Sequence, residues 1–182
     1  MNIYKFPFTL DPEPILREIE TNDRLWNATR FRSMNVYEQR HTSSIALREP
    51  RNRRGVRTRD SEDIYETIYY SFFPEVRYFS DWFTSTYGGE CGRIAIVKLP
   101  SGKLVSPHID VGEYYRKRDR FHFVLKGTYR YTVENDIEIM TAGDLFWFDS
   151  QKYHSAETLG SNDRIAIIFD VLGSEFRKSV GT

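Results

Sequence analysis

Two histidines and one aspartate have the types and spacing to act together. His108 and Asp110 stand one residue apart in SPHID, and His154 follows 44 positions after Asp110, in KYHSAE. Two imidazoles and a carboxylate can occupy one face of an octahedral ion and leave the opposite face open, the ligand set of non-haem Fe(II) oxygenases. A zinc site would more often use cysteine or a third histidine. In a strand, residues i and i+2 point to the same face. The spacing therefore predicts His108 and Asp110 on one strand facing one ion, with His154 arriving from another. A His-x-Asp pair alone is a weak signal, and a lone histidine is more often a satisfied structural residue. Arg164 strengthens the set: it lies ten positions past His154 and opens the run DRIAIIFDV. From a strand end its planar fork of donors suits a carboxylate better than a lysine would.

These residues need a framework of strands. From Gly92 onward the sequence breaks into short apolar-rich runs: GRIAIVKLP, KLVSPHID, RFHFVLKG, YRYTVEN, IEIMTAG, DLFWFDS, HSAETL and DRIAIIFDVL, separated by turn-forming residues. About eight strands of this kind predict a jelly roll or small barrel. The first half is mixed. Asp11 and Pro12 precede a helical pattern through Ile15, Leu16 and Ile19, and TSSIALRE reads as a strand. Val76, Phe79, Trp82 and Phe83 recur at helical spacing between Pro74 and Gly88, an aromatic stripe for packing against a sheet. Residues 51–59 carry five arginines and almost no apolar side chain, as a solvated loop does.

The bulk composition excludes several classes. The chain has 182 residues, 40% of them hydrophobic and 29% charged, which suits one ordinary globular domain. Lys plus Arg and Asp plus Glu number 26 each, so overall charge supplies no attraction to nucleic acid or an anionic membrane. Cys91 is the single cysteine, without a partner for an intrachain disulfide. It reads as a buried or incidental thiol rather than a nucleophile. The first residues show neither a basic segment nor a long apolar run, and no uninterrupted membrane span is present. The expected setting is a reducing, cytoplasm-like compartment.

The ordered pattern His-x-Asp, His, Arg resembles the Fe(II)/2-oxoglutarate-dependent dioxygenases. Gly92–Val171 is most similar to the aspartyl/asparaginyl β-hydroxylase branch and its proline-hydroxylase-like relatives. RFH at Arg120–His122, AGDLFWFDSQKYHSA and DRIAIIFDV carry the narrower match. The resemblance implies a mainly β fold: a double-stranded β-helix, or cupin-like jelly roll, over 91–175. Supporting helices, strands and lid would come from 1–90 of a single domain. It also implies Fe(II) held by His108, Asp110 and His154, which form the catalytic set with dioxygen. Arg164 would pair with the far carboxylate of the cosubstrate 2-oxoglutarate, assisted by Arg120 and His122. Those two share one strand face, which looks into the barrel if Phe121 and Phe123 pack outside it. Two departures matter. Animal members of the branch lack the triad carboxylate, whereas Asp110 is present here. Many 2-oxoglutarate enzymes also place a serine where this chain has Ala166.

The function so implied is hydroxylation of a C–H bond in an amino acid, or in an amino-acid side chain of a peptide or protein. Activity is expected to fall as the metal histidines protonate in mild acid. Tyr114 and Tyr115, just past the metal pair, are candidates to line the pocket. The competing readings are a cupin-type epimerase or isomerase using His and Asp for proton transfer, and a non-catalytic barrel that binds a small molecule. Nothing in the sequence points to a nucleic-acid or membrane partner, or to an oligomeric state.

Overall fold

The computed structural model describes residues 1–28, 37–51 and 55–176. Strand β1 (Ile3–Thr9) is followed by helix α1 (Glu13–Thr21), strands β2 (Ser43–Pro50) and β3 (Ile64–Glu66), and helix α2 (Pro74–Tyr87). The second half begins with β4 (Glu90–Leu99), β5 (Leu104–His108) and the single-turn helix α3 (Glu113–Arg116). It continues through β6 (Arg118–Lys126), β7 (Thr128–Val133), β8 (Asp136–Met140), β9 (Asp144–Phe148), β10 (His154–Leu159) and β11 (Arg164–Leu172). All eight strands expected beyond Gly92 form, as β4 to β11.

Two antiparallel sheets result, one in the order β1-β9-β6-β11-β4-β2-β3 and the other β5-β10-β7-β8. From β4 onward the chain passes repeatedly between them, which is the winding of a double-stranded β-helix. The fold is mainly β, a cupin-like jelly roll with helices on one side. β1 and β3 extend the larger sheet and were not apparent in the sequence. Pro7 interrupts the reading of β1 as a strand. Yet β1 is an edge strand paired only with β9, and Pro7 falls between Lys5 and Thr9, where the register on β9 slips, as proline in a sheet requires. β3, at three residues, is too short to show alternation.

Both helices form where their punctuation places them. A side-chain oxygen of Asp11 accepts from the Glu13 N–H at 3.0 Å, and Pro74 opens α2. Gly88, at φ 73°, ends α2 in a conformation that L side chains rarely adopt. Ile15 and Ile19 of α1 and Val76, Phe79 and Phe83 of α2 bury against the outer face of the larger sheet. The Phe83 ring lies 4.7 Å from Phe121 and 4.9 Å from Phe169.

A second core fills the space between the sheets, with Leu99, Val124, Tyr129, Tyr131, Phe146 and Phe148 among its members. Alternation along β6 therefore sends Phe121 and Phe123 to the helices, and Arg120 and His122 into the barrel. Burial pushes the Cys91 thiol up to about 12, so it carries no thiolate at neutral pH. Of the arginine-rich stretch, 52–54 lie outside the described residues; Arg57 and Arg51 are exposed and pair with Asp60 and Asp63. Among the described residues no helix is long and apolar enough to cross a membrane.

Candidate metal centre and its cavity

His108 ends β5 and faces His154, the first residue of β10, in direct register. The ladder itself thus brings the imidazoles together, with ring centroids 4.3 Å apart. Asp110 is placed differently from the sequence expectation. It lies past the end of β5, because its N–H leaves the ladder and donates to the Ser150 carbonyl at 3.1 Å. Gln151 donates its side-chain amide to the Asp110 carbonyl at 3.0 Å. The turn before β10 therefore fixes the turn after β5. One ligand atom from each of His108, Asp110 and His154 falls within 4.8 Å of the others, and His154 Nε2 is 3.7 Å from Asp110 Oδ2.

Protonation of both rings is set from behind. Nδ1 of His108 faces the Ser106 carbonyl at 2.8 Å, and Nδ1 of His154 faces the Lys152 carbonyl at 3.0 Å. A carbonyl only accepts, so each Nδ1 carries the proton and each Nε2 keeps its lone pair, as a metal ligand requires. Burial is the main cause that drops the His154 pKa to about 4, partly opposed by the Asp110 carboxylate. Mild acid therefore leaves this imidazole neutral, and the expected loss of function through its protonation moves to lower pH.

Arg120 reaches Asp110 Oδ2 through Nη1 at 2.5 Å and grips both oxygens of Asp170 through Nε and Nη2, at 2.7 and 3.0 Å. All three side chains are buried. The two carboxylates hold the Arg120 pKa well above its ordinary value against the opposing effect of burial. The sequence reading gave Arg120 a cosubstrate contact; in the fold its donors are directed at these carboxylates, while its side chain still borders the cavity. Asp170 was not singled out, though it shares the inward face of β11 with Arg164 by the i, i+2 rule. Tyr114 and Tyr115 are packed at the barrel end. Tyr114 accepts from the Arg93 N–H at 2.7 Å, and Tyr115 accepts from Arg93 Nη1 at 2.5 Å. Neither is among the residues lining the cavity.

That cavity is narrow, with a volume of about 40 Å³. His108, His154 and Arg120 border it at one level, and His122, Tyr131 and Arg164 further in. Gln39 and Thr42 bring the first half of the chain to its wall. Arg164 is 2% exposed; its Nη2 donates to His122 Nδ1 at 3.2 Å, and its guanidinium lies 4.4 Å from the Tyr129 ring centroid. Arg164 Nε and the Tyr129 hydroxyl are buried without a hydrogen-bond partner.

The family model described as aspartyl/asparaginyl beta-hydroxylase matches residues 73–173, more than half of the chain and the whole of the barrel with α2. The chain belongs to the aspartyl/asparaginyl beta-hydroxylase family. No curated protein matches it. Solved structures with a similar fold include a predicted oxalate decarboxylase from Thermotoga maritima. It is 24% identical over 45% of this chain and 67% of that one, with a TM-score of 0.39. KdgF from Halomonas sp. is 20% identical over 43% of this chain and 68% of that one, with a TM-score of 0.36. The cupin domain of Cnp3 from Schizosaccharomyces pombe is 16% identical over 49% and 61%, with a TM-score of 0.39. Each of these likenesses takes in less than half of this family member.

Proposed function

We propose that this chain is an Fe(II)- and 2-oxoglutarate-dependent dioxygenase that hydroxylates a C–H bond of an amino acid, or of an amino-acid side chain in a peptide or protein. The observation that carries the reading is one cavity bordered by the His108 and His154 imidazoles, with Asp110 beside them, and by Arg164 further in. The donor set fits the metal: two neutral imidazole nitrogens and one carboxylate, without thiolate, suit ferrous iron better than a structural zinc. The unpartnered Nε of buried Arg164 fits an anion that completes its hydrogen bonds.

His108, Asp110 and His154 would hold the iron. Bound there, it would supply the activation of dioxygen coupled to decarboxylation of 2-oxoglutarate to succinate and carbon dioxide. The chain's own groups do the rest. Carbonyls of Ser106 and Lys152 orient the imidazoles, and Arg120 orients Asp110 and lowers its charge density. Arg164 supplies the fork for the far carboxylate, and His122 aims that fork. Val97, Val105, Ala156 and Ile168 give the cavity dry walls, which strengthens each electrostatic contact inside it. The substrate, a small molecule or peptide, would enter beside Gln39 and Thr42. The lone, inert cysteine suits a reducing, cytoplasm-like compartment.

The test is incubation of the purified protein with Fe(II), ascorbate and 2-oxoglutarate, with succinate measured as the product. Iron-dependent succinate, formed slowly without a second substrate and absent in His154→Ala, is expected. Succinate no higher than in the metal-free control, across a panel of amino acids and peptides, would overturn the proposal.

A further inference from the structure

The two sheets differ in what covers them. Among the described residues, α1 and α2 pack on the outer face of the larger sheet, whereas the outer face of the smaller one, β5-β10-β7-β8, is open. An antiparallel sheet with one solvated face normally turns polar side chains outward there. Here both outward positions of β8 are isoleucine: Ile137 is 59% exposed and Ile139 44%. At the opposite edge, Leu104 of β5 is 47% exposed. The registers set four outward residues in one row, with Ile139 beside Arg130, Arg130 beside Glu157, and Glu157 beside Leu104. Arg130 Nη1 donates to Glu157 Oε2 at 2.7 Å, and both side chains are about half exposed. Across β8, β7, β10 and β5 the row therefore reads apolar, cation, anion, apolar.

We propose that this face joins a second copy of the chain, sheet against sheet, about a two-fold axis that runs along the strands between β7 and β10. That rotation reverses the row and keeps its level. Ile139 then lies over the partner's Leu104, and Arg130 over the partner's Glu157. Sheets stacked face to face stand about 10 Å apart, a gap that an arginine and a glutamate reaching toward each other can span. Two separate ion pairs become a closed ring of four alternating charges, which fixes the register, while the aliphatic side chains leave water. A two-fold axis across the strands would instead set Arg130 over Arg130. Pairing of two β8 edges is disfavoured as well. Glu138, exposed at the centre of that strand, would meet its own copy there. A contact confined to one four-stranded face is small, so the association is weak and reversible. It lies on the back of the strands that carry His108 and His154, and it does not depend on the oxygenase reading.

The test is sedimentation velocity of the full chain from about 5 to about 500 µM, a range over which a weak contact fills. The unmodified chain is expected to pass from monomer to dimer and no further, because a two-fold contact closes on itself. The Arg130→Glu chain carries acids at both central positions of the row, and the Glu157→Arg chain carries bases at both. Each alone is expected to stay monomeric, since reversal sets like charges face to face. Their equimolar mixture is expected to dimerise, because every acid then faces a base. Ile139→Lys decides the question separately and is expected to stay monomeric; melting temperatures report that each variant is folded. An unmodified chain that remains monomeric throughout would overturn the proposal. So would a dimer that survives in Ile139→Lys or in either charge variant alone, or a mixture of the two that stays monomeric.

Discussion

Asp110 and Asp170 are joined through one buried guanidinium: Arg120 lies 2.5 Å from the first and 2.7 and 3.0 Å from the second. The candidate metal ligand is therefore one end of a chain of charges that runs back into β11. One cation between two carboxylates leaves a net negative charge beside the imidazoles, where a divalent cation is favoured.

Replacing Arg120 with leucine would leave two buried carboxylates facing each other without a counter-charge. The expected cost is about 3–5 kcal/mol by urea unfolding at neutral pH. It should shrink in acid, where a carboxyl can take up a proton in place of the lost cation. A loss independent of pH would show that packing, rather than charge, is what Arg120 contributes.

His154 makes stability itself depend on pH. The folded imidazole protonates at about 4, against an ordinary value of 6.5. Between these values the unfolded chain binds the proton and the folded chain does not, so the metal-free protein loses stability as pH falls through this range. The full effect is on the order of 3 kcal/mol. Urea midpoints at pH 7 and pH 4.5 should differ less in His154→Leu than in the unmodified chain; equal differences would contradict the burial effect.

The candidate ligands were legible because their chemistry is written in residue type: few histidines, one of them two positions from an aspartate. The strands of the barrel were legible because each alternates or is wholly apolar between turn residues. What joins distant positions was not. Asp170 and Arg120 are 50 residues apart, and only the β6–β11 register sets them side by side. The placement of Asp110 beyond its strand depends on Ser150 and Gln151, which belong to another turn.

Phe83 anchors α2 to the sheet that carries Arg120 and Arg164. Phe83→Ala should cost about 3–5 kcal/mol in unfolding free energy through loss of contact and the cavity left behind. Metal affinity of the folded fraction should be unchanged, since the ring lies on the far face of the sheet from the ligands. A parallel fall in affinity would mean that the helical layer sets the site geometry.

Gly112 follows Asp110 by two residues at φ 130°, and a Cβ there would come within 2.3 Å of the Arg59 carbonyl. Nearby, the Glu113 N–H donates to Asp60 at 3.1 Å, clasping the same turn to the 58–60 segment. Gly112→Ala is expected to lift this turn and weaken Mn(II) binding about tenfold or more, as removal of an outer support for a metal ligand does. Unaltered affinity would detach the clasp from the site.

The most direct measurement of the central claim is anaerobic equilibrium dialysis of Fe(II) against the unmodified chain and against His108→Ala, Asp110→Ala and His154→Ala, with melting temperatures recorded alongside. Three ligands on one ion predict a single iron per chain, with affinity falling sharply in each folded variant. Iron that binds the His154→Ala protein as tightly as the unmodified chain would contradict the site, and the oxygenase reading built on it.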